Sequence, residues 1–282
     1  MVGMVILNYN DFDTTSIYLN QISKYKVIDH IIVVDNNSTD DSYKKLCKYK
    51  SNKIDVLSAG ENKGYAYGNN LGIRYLRDNY KCEYVFISNP DISLEENDIK
   101  VLINDLKEKD VVAPVIKQYN GDVRGWKLPS FKKEINTITS GRLFKKASVY
   151  SDEHFNNDLA LVDVVPGCFF GIRDNALKKV GDFDEGTFLY FEENILGFKL
   201  KKRGFKSYTD TKVSVVHNLS VSVDKSVKKV NKYKILIKSL FYYEKHILKS
   251  NIIRRMILRI FYLLMLGLLK IKHIGGRAWK KI

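Results

Sequence analysis

Four short polar segments follow apolar runs in this chain: Asn8-Tyr9-Asn10, Asp35-Asn36-Asn37-Ser38, Glu61-Asn62-Lys63-Gly64 and Asn89-Pro90-Asp91. One such segment alone is ordinary turn chemistry. Four of them, each where a strand should give way to a helix, suggest more, because strand ends in an open α/β sheet share one edge and ligands bind there. Asp35 can accept from the imide N–H of a pyrimidine base, and Asn8, Asn10 and Asn89 offer further polar groups at the same edge. Gly64 and Gly68 leave room for backbone to approach a ribose or diphosphate. Asp91, which closes the run FISNPD, is the acid that this edge would offer to a hard divalent cation. No GxGxxG follows the first strand and no Gly-Lys-Ser/Thr occurs, so neither a dinucleotide fingerprint nor a P-loop is supported.

Those segments need a sheet behind them. VGMVILNY, HIIVVD (30–35), KIDVLSAG (53–60) and CEYVFIS (82–88) are strand candidates, with helices expected over 11–25, 36–50, 64–79 and 98–108. This alternation predicts βαβ units. Ser38 or Thr39 is the expected cap of the second helix, and Ser93 with Glu96 fits a capping box for the fourth. DVVAPVI (110–116) is a further strand. Residues 118–160 are polar and irregular and read as mobile surface that could contact an acceptor. LVDVVPGCFFGIR (161–173), a short helix from Asp174, a helix closed by Gly204, and KSYTD with KVSVVHNLSV complete a globular part over 1–222.

The net charge of +15 is unevenly placed. Residues 223–282 hold 16 Lys/Arg against Asp224 and Glu244, or +14, which leaves +1 for everything before them. Residues 245–273 read as one helix. Its stretch 260–269 lacks charge, but Arg254, Arg255 and Arg259 interrupt the run before the roughly 20 apolar residues that a spanning helix needs. Asn251, Arg255, Arg259 and Tyr262 mark a polar stripe on this helix. A basic amphipathic tail of this kind suits a membrane interface, the alternative being a C-terminal core helix with a solvated basic face. Nucleic-acid binding would follow from charge alone, yet the apolar runs between the basic residues suit lipid better, so no nucleic acid is expected. Met1-Val2-Gly3-Met4 runs straight into VILNYN, so no secretory signal is expected. Cys47, Cys82 and Cys168 have no Cys-x-x-Cys spacing, so neither a disulfide framework nor a zinc site is expected, and a reducing cytosol is the natural compartment.

ILNYN, IIVVDNNSTDDS, ENKGYAYGNNLGIRYL and SNPDISLE, in this order, resemble the inverting GT-A glycosyltransferases of family 2. With Asn-Pro-Asp in place of Asp-x-Asp, the set is similar to bacterial rhamnosyltransferases and related polysaccharide-assembly enzymes. VPGCFFGIR, GDFDEGTFLYFEENILGFKLKKRGF and VVHNLSVS continue the resemblance, which covers roughly residues 3–222. It implies a GT-A fold: a Rossmann-like mixed sheet flanked by helices, here with the basic helical tail appended. It also implies Asp35 on the nucleobase, Asn62, Lys63, Gly64 and Asn69 on the nucleotide, and Pro166-Gly167 lining the donor-sugar pocket. Asp91 matches the metal-ligating acid and His217 a histidine that approaches the metal or diphosphate, which implies Mn2+ or Mg2+ as cofactor. Glu193 falls on the catalytic-base position. At the start of a helix, the local dipole is expected to keep it ionised.

Two departures stand out. The usual Glu-Asp-x-Asp is Glu192-Glu193-Asn194-Ile195, which lengthens the base by one methylene and removes the later acid. Asn89 replaces an acid, which leaves Asp91 the only charged member of its triplet. The expected activity is transfer from dTDP-rhamnose or a UDP-hexose to a lipid-linked saccharide, by an enzyme peripheral on the cytoplasmic face of the membrane. The missing acids keep a catalytically silent nucleotide-sugar binder as the alternative, and self-association as a homodimer stays open.

Overall fold

The structure is a computed structural model and describes residues 1–119, 121–140, 150–218 and 229–278, with side chains over 231–268 in the last segment. The apolar runs become strands: β1 (Val2–Asn8), β2 (His30–Asp35), β3 (Ile54–Ser58) and β4 (Tyr84–Ser88). They pair in parallel in the order β3-β2-β1-β4. Helices α1 (Phe12–Ile22), α2 (Ser42–Leu46) and α3 (Tyr65–Tyr80) connect them. After β4 the chain makes the two-residue β5 (Ile92–Ser93), α4 (Glu96–Leu106) and β6 (Val111–Lys117). Next come α5 (Phe131–Ser140), β7 (Leu159–Val162), β8 (Phe169–Arg173), α6 (Asp174–Val180), α7 (Glu192–Lys202) and β9 (Ser207–His217). One mixed sheet results among the described residues, in the order β3-β2-β1-β4-β8-β6-β9-β5, with β7 added against β9.

Both faces of this sheet are covered, which is why its central strands read as unbroken apolar runs. Side chains alternate across the strand: Val5, Ile32 and Val34 join a core with α3, α6 and α7, while Met4, Ile6, Ile31 and Val33 join one with α1 and α4. Each such fully buried aliphatic side chain contributes roughly 1.5–3 kcal/mol.

Two expected caps are corrected. Asp98 accepts from the Glu95 N–H at 2.8 Å, so the capping box at α4 is Glu95/Asp98 and lies two residues later than Ser93/Glu96. Helix α2 starts at Ser42, whose N–H donates to Asp40, while Ser38 serves Asp35 instead. Nor is the described part of 118–160 irregular throughout. Val123 bridges Ile116, Trp126 bridges Val164, and α5 carries the buried Glu134. Residues 141–149 lie outside the described residues, as do 219–228.

The C-terminal segment forms two helices rather than one. Helix α8 (Lys229–Tyr242) runs into a π-helical turn (Tyr243–Ile247), and after Leu248 the chain breaks direction, with Lys249 at φ 50°, before α9 (Ile252–Ala278). Leu236, Ile237, Leu240, Tyr243 and Leu258 share a buried cluster with Ile138, Phe191 and Ile195. Tyr262 packs into this cluster, with its ring 6.0 Å from Tyr233, so the polar stripe drawn through Asn251, Arg255 and Arg259 stops before it. The opposite face of α9 exposes Ile252, Ile253, Met256, Ile260, Leu263, Leu264 and Leu268.

Candidate active site

The turns after β1 and β2 are tied together first. Asn8 and Asp35 are register partners at the ends of their strands. Asn8 is buried; its amide donates to Asp35 Oδ2 at 2.8 Å, and its oxygen accepts from Thr15. Asp35 also accepts from the Ser38 N–H at 2.9 Å and from the Ser38 hydroxyl at 2.6 Å. The carboxylate is thus held rigid by its own turn at the strand edge. Asn10, in the left-handed region at φ 51°, exchanges hydrogen bonds with Thr39 and closes the rim.

The segment after β3 needs its glycine. Gly64 has φ 105°, and a Cβ there would overlap the Phe188 carbonyl oxygen. Asn62 Oδ1 accepts from Gly64 N–H and from the Asn36 amide, both at 3.0 Å. Lys63 is exposed, pairs with Glu61 and lies over the Tyr67 ring. Asn69 lies one turn into α3, buried, with its amide on Tyr65 O at 3.0 Å.

The third group sits where β4, β5, β8 and β9 meet. Asn89 N–H donates to Cys168 O at 2.8 Å, which brings Asn89-Pro90-Asp91 beside Pro166-Gly167-Cys168. Ile92 pairs with His217, and Asp91 Oδ2 lies 3.1 Å from His217 Nε2. The other ring nitrogen of His217 is 3.0 Å from the Gln118 amide nitrogen. The Asp91 carboxylate is an oxygen donor that suits Mn2+ or Mg2+, and an imidazole nitrogen beside it favours Mn2+ of the two. Among the described residues no cluster of three or more His, Cys, Asp and Glu side chains could hold a metal. A cation held here would therefore complete its shell with substrate oxygens and water.

Glu193 packs against the same segment. Gly167 leaves the space for it, since a Cβ there would stand 2.6 Å from Glu193 Oε1. Tyr65 donates its hydroxyl to Gly167 O at 2.7 Å and so pins that turn to the start of α3. Burial raises the Cys168 thiol far above its usual range, and next in effect come the nearby carboxylates of Asp91 and then Glu193. At Glu193 burial works against the helix dipole. Burial dominates and raises its carboxyl, with backbone N–H groups at Glu193 and Gly167 offsetting only part. Glu192, almost fully buried, is raised well above the usual range by burial and then by Glu193. A carboxylate held above its usual range is a stronger base and is better matched to taking a proton from a hydroxyl.

Glu192 and Glu193 open α7 after an unusual approach. Tyr190 and Phe191 both have φ 73°, a conformation that costs about 1–2 kcal/mol for each L-residue with a side chain. Trp126 donates its indole N–H to Asn194 Oδ1 at 3.0 Å, both residues buried, and so ties the 121–130 segment to the same helix start. Gln118, Tyr65, Phe188 and Trp126 carry no local sequence signal for these roles. Each meets its partner across about 70 residues or more of chain.

Residues 4–181 match the sequence profile of glycosyl transferase family 2. The chain belongs to that family. It is 26% identical over 227 residues to the low-salt glycan biosynthesis hexosyltransferase Agl10 of Haloferax volcanii, covering 78% of this chain and 68% of the relative. It is 24% identical over 203 residues to the N-acetylglucosaminyl-diphospho-decaprenol L-rhamnosyltransferase of Mycobacterium tuberculosis, covering 67% of this chain and 66% of the relative. Among solved structures, GalNAc-T7 with UDP, GalNAc and Mn2+ superposes with a TM-score of 0.64 at 13% identity, over 87% of this chain. This chain spans half of the GalNAc-T7 chain. The fold is accordingly GT-A, as the motif order implied, and the protein is a glycosyltransferase.

Proposed function

We propose that the protein transfers a sugar, with inversion, from a nucleotide-diphosphate sugar to a lipid-linked saccharide at a membrane surface. The carrying observation is that Glu193 packs on Gly167 while the Asn89-Pro90-Asp91 turn is hydrogen-bonded to the adjoining Cys168, so both acids adjoin one turn at the strand edge. Asp35 and the 62–64 turn hold the nucleotide, with Asn8, Asn10, Asn69 and Asn89 shaping the walls around it. Pro166 and Gly167 line the donor-sugar pocket. Asp91 and His217 would hold a divalent cation, which would supply charge neutralisation for the diphosphate leaving group. Glu193 takes the proton of the acceptor hydroxyl as that oxygen attacks the anomeric carbon from the face opposite the diphosphate. dTDP-rhamnose is the first donor to test, then UDP-hexoses. The lipid-linked acceptor is supported by the name of the mycobacterial relative, whose acceptor is a decaprenyl diphosphate sugar.

No helix among the described residues is long and apolar enough to cross a membrane. The outward apolar face of α9, with Arg255 and Arg259 along it, supports a peripheral mode in which this helix lies in the interface. An enzyme resting on the cytoplasmic face of the bilayer would meet an acceptor fixed in it.

The test is a thermal-shift screen of nucleotide sugars with and without Mn2+, followed by transfer assays on Asp91→Ala and Glu193→Ala. A matched donor should raise the melting point, and both variants should lose transfer. Full transfer by both variants would show that the site is assigned wrongly. Donor binding without turnover on any acceptor would instead favour a silent binding protein.

A further inference from the structure

The two left-handed residues before the catalytic helix are held by the C-terminal segment. Phe191 is 1% exposed, its ring centroid lies 5.4 Å from that of Tyr243, and Phe198 meets the same Tyr243 ring edge-on at 6.3 Å. The Ser239 hydroxyl donates to Leu189 O at 2.8 Å, and the Tyr242 hydroxyl donates to Asp184 Oδ1 at 2.8 Å. Gly186 lies flat against the Tyr242 ring, with no room for a Cβ. From the other side, Tyr65 N–H donates to Phe188 O at 3.0 Å, and the Gly64 backbone presses on that same oxygen. The 184–191 loop is thus clamped between the nucleotide-side turn and helix α8 with its π turn.

We infer that α8 and its π turn are working parts of the active site, with Tyr243 and Ser239 as positioning residues for Glu193. Two consecutive aromatic residues at φ 73° persist only where the surroundings over-determine them. Here the surroundings are the Tyr243 ring under Phe191 and the Ser239 bond to the carbonyl two residues earlier. Release of this clamp lets Tyr190 and Phe191 relax, which turns the first residues of α7 and moves Glu193 away from Gly167. Tyr243 is buried in the cluster with Phe191 and Ile195, near the Glu134 and Glu244 carboxyls, and acts only through the loop.

The inference rests on Glu193 as the base, and the experiment separates the two. Steady-state kinetics on Tyr243→Ala, Tyr243→Phe, Ser239→Ala and Glu193→Asp are measured beside nucleotide Kd and Tm. Tyr243→Ala should lower kcat about 100-fold with Kd for the nucleotide within about threefold. Tyr243→Phe should restore kcat, because the ring and not the hydroxyl supports Phe191. Ser239→Ala should lower kcat several-fold, and it carries the test with Tyr243→Phe if Tyr243→Ala does not fold. The double variant Tyr243→Ala/Glu193→Asp should fall short of the product of the two single effects, since both act through one carboxylate. A lowered Tm with unchanged kcat in Tyr243→Ala or Ser239→Ala would overturn the inference while leaving the base in place. Unchanged kcat in Glu193→Asp and Glu193→Ala would overturn the reading of the base itself.

Discussion

His217 Nε2 stands 3.1 Å from Asp91 Oδ2, with Gln118 at the opposite ring nitrogen. The two proposed metal ligands therefore hold each other at the junction of β5 and β9, and a third residue orients the ring. The Gln118 amide N–H donates to Nδ1, so Nε2–H donates to Asp91, and a cation taken up at Nε2 would displace that proton.

Removal of the cation with EDTA should abolish transfer, and Mn2+ or Mg2+ should restore it. Asp91→Asn and His217→Ala should each weaken Mn2+ binding at least ~10-fold. Titration of Mn2+ against the protein with bound nucleoside diphosphate, read by calorimetry or electron paramagnetic resonance, checks both without an assay of turnover.

Burial raises the Glu193 carboxyl, so the acid limb of the rate profile should lie above the ordinary glutamate range. Activity should rise with pH as Glu193 loses its proton and becomes able to accept one. Glu193→Gln should lower kcat by about 10²- to 10⁴-fold at the plateau and remove this limb. A kcat profile between pH 4.5 and 9 reads both effects.

Ile260 and Leu264 belong to the outward apolar face of α9, each more than half exposed. Replacement of both by Asp should leave transfer to a soluble acceptor analogue nearly unchanged and abolish flotation with anionic vesicles. Higher salt should weaken the wild-type interaction, since Arg255 and Arg259 act on the lipid charge over a Debye length of about 8 Å at physiological ionic strength. Parallel DNA-binding measurements over the same salt series should show no comparable affinity.

Arg254 bridges two buried carboxylates, Glu134 Oε2 at 2.7 Å and Glu244 Oε1 at 2.6 Å. Burial first, and then the neighbouring Glu244, push Glu134 up to about 9, against the opposing pull of Arg254. Tyr243 is the other titratable neighbour. A carboxyl whose folded value is raised binds its proton more tightly when folded, so its contribution to stability is full below pH 4.5. That contribution is lost as pH climbs toward 9. The slope is at most about 1.4 kcal/mol per pH unit. Glu134→Gln should flatten this decline and melt higher than the wild type at pH 8–9, as melting curves across pH 5–9 would show.

The sequence by itself determined the strand–turn–helix order and the polar turns at its strand ends. The signals are local: apolar runs for buried parallel strands, a glycine where φ must be positive, and an acid or asparagine where a strand stops. His30–Asp35 was legible to the residue for this reason. Caps were less legible, because Ser93 and Glu96 satisfy a spacing that Glu95 and Asp98 satisfy equally well two residues on. The C-terminal segment shows the limit more sharply. Amphipathic periodicity predicts one helix over 245–273, yet nothing local marks the turn at 243–247, which forms where Tyr243 meets Phe191. Gln118 on His217, Tyr65 on Gly167 and Trp126 on Asn194 were likewise decided only by the tertiary structure. A hydrogen bond between residues 68 to 102 positions apart leaves no periodic trace in sequence; it exists because the sheet brings distant strand ends to one edge. The same holds for the protonation of Glu193, which its place at a helix start favoured as ionised and which burial by the folded chain shifts upward.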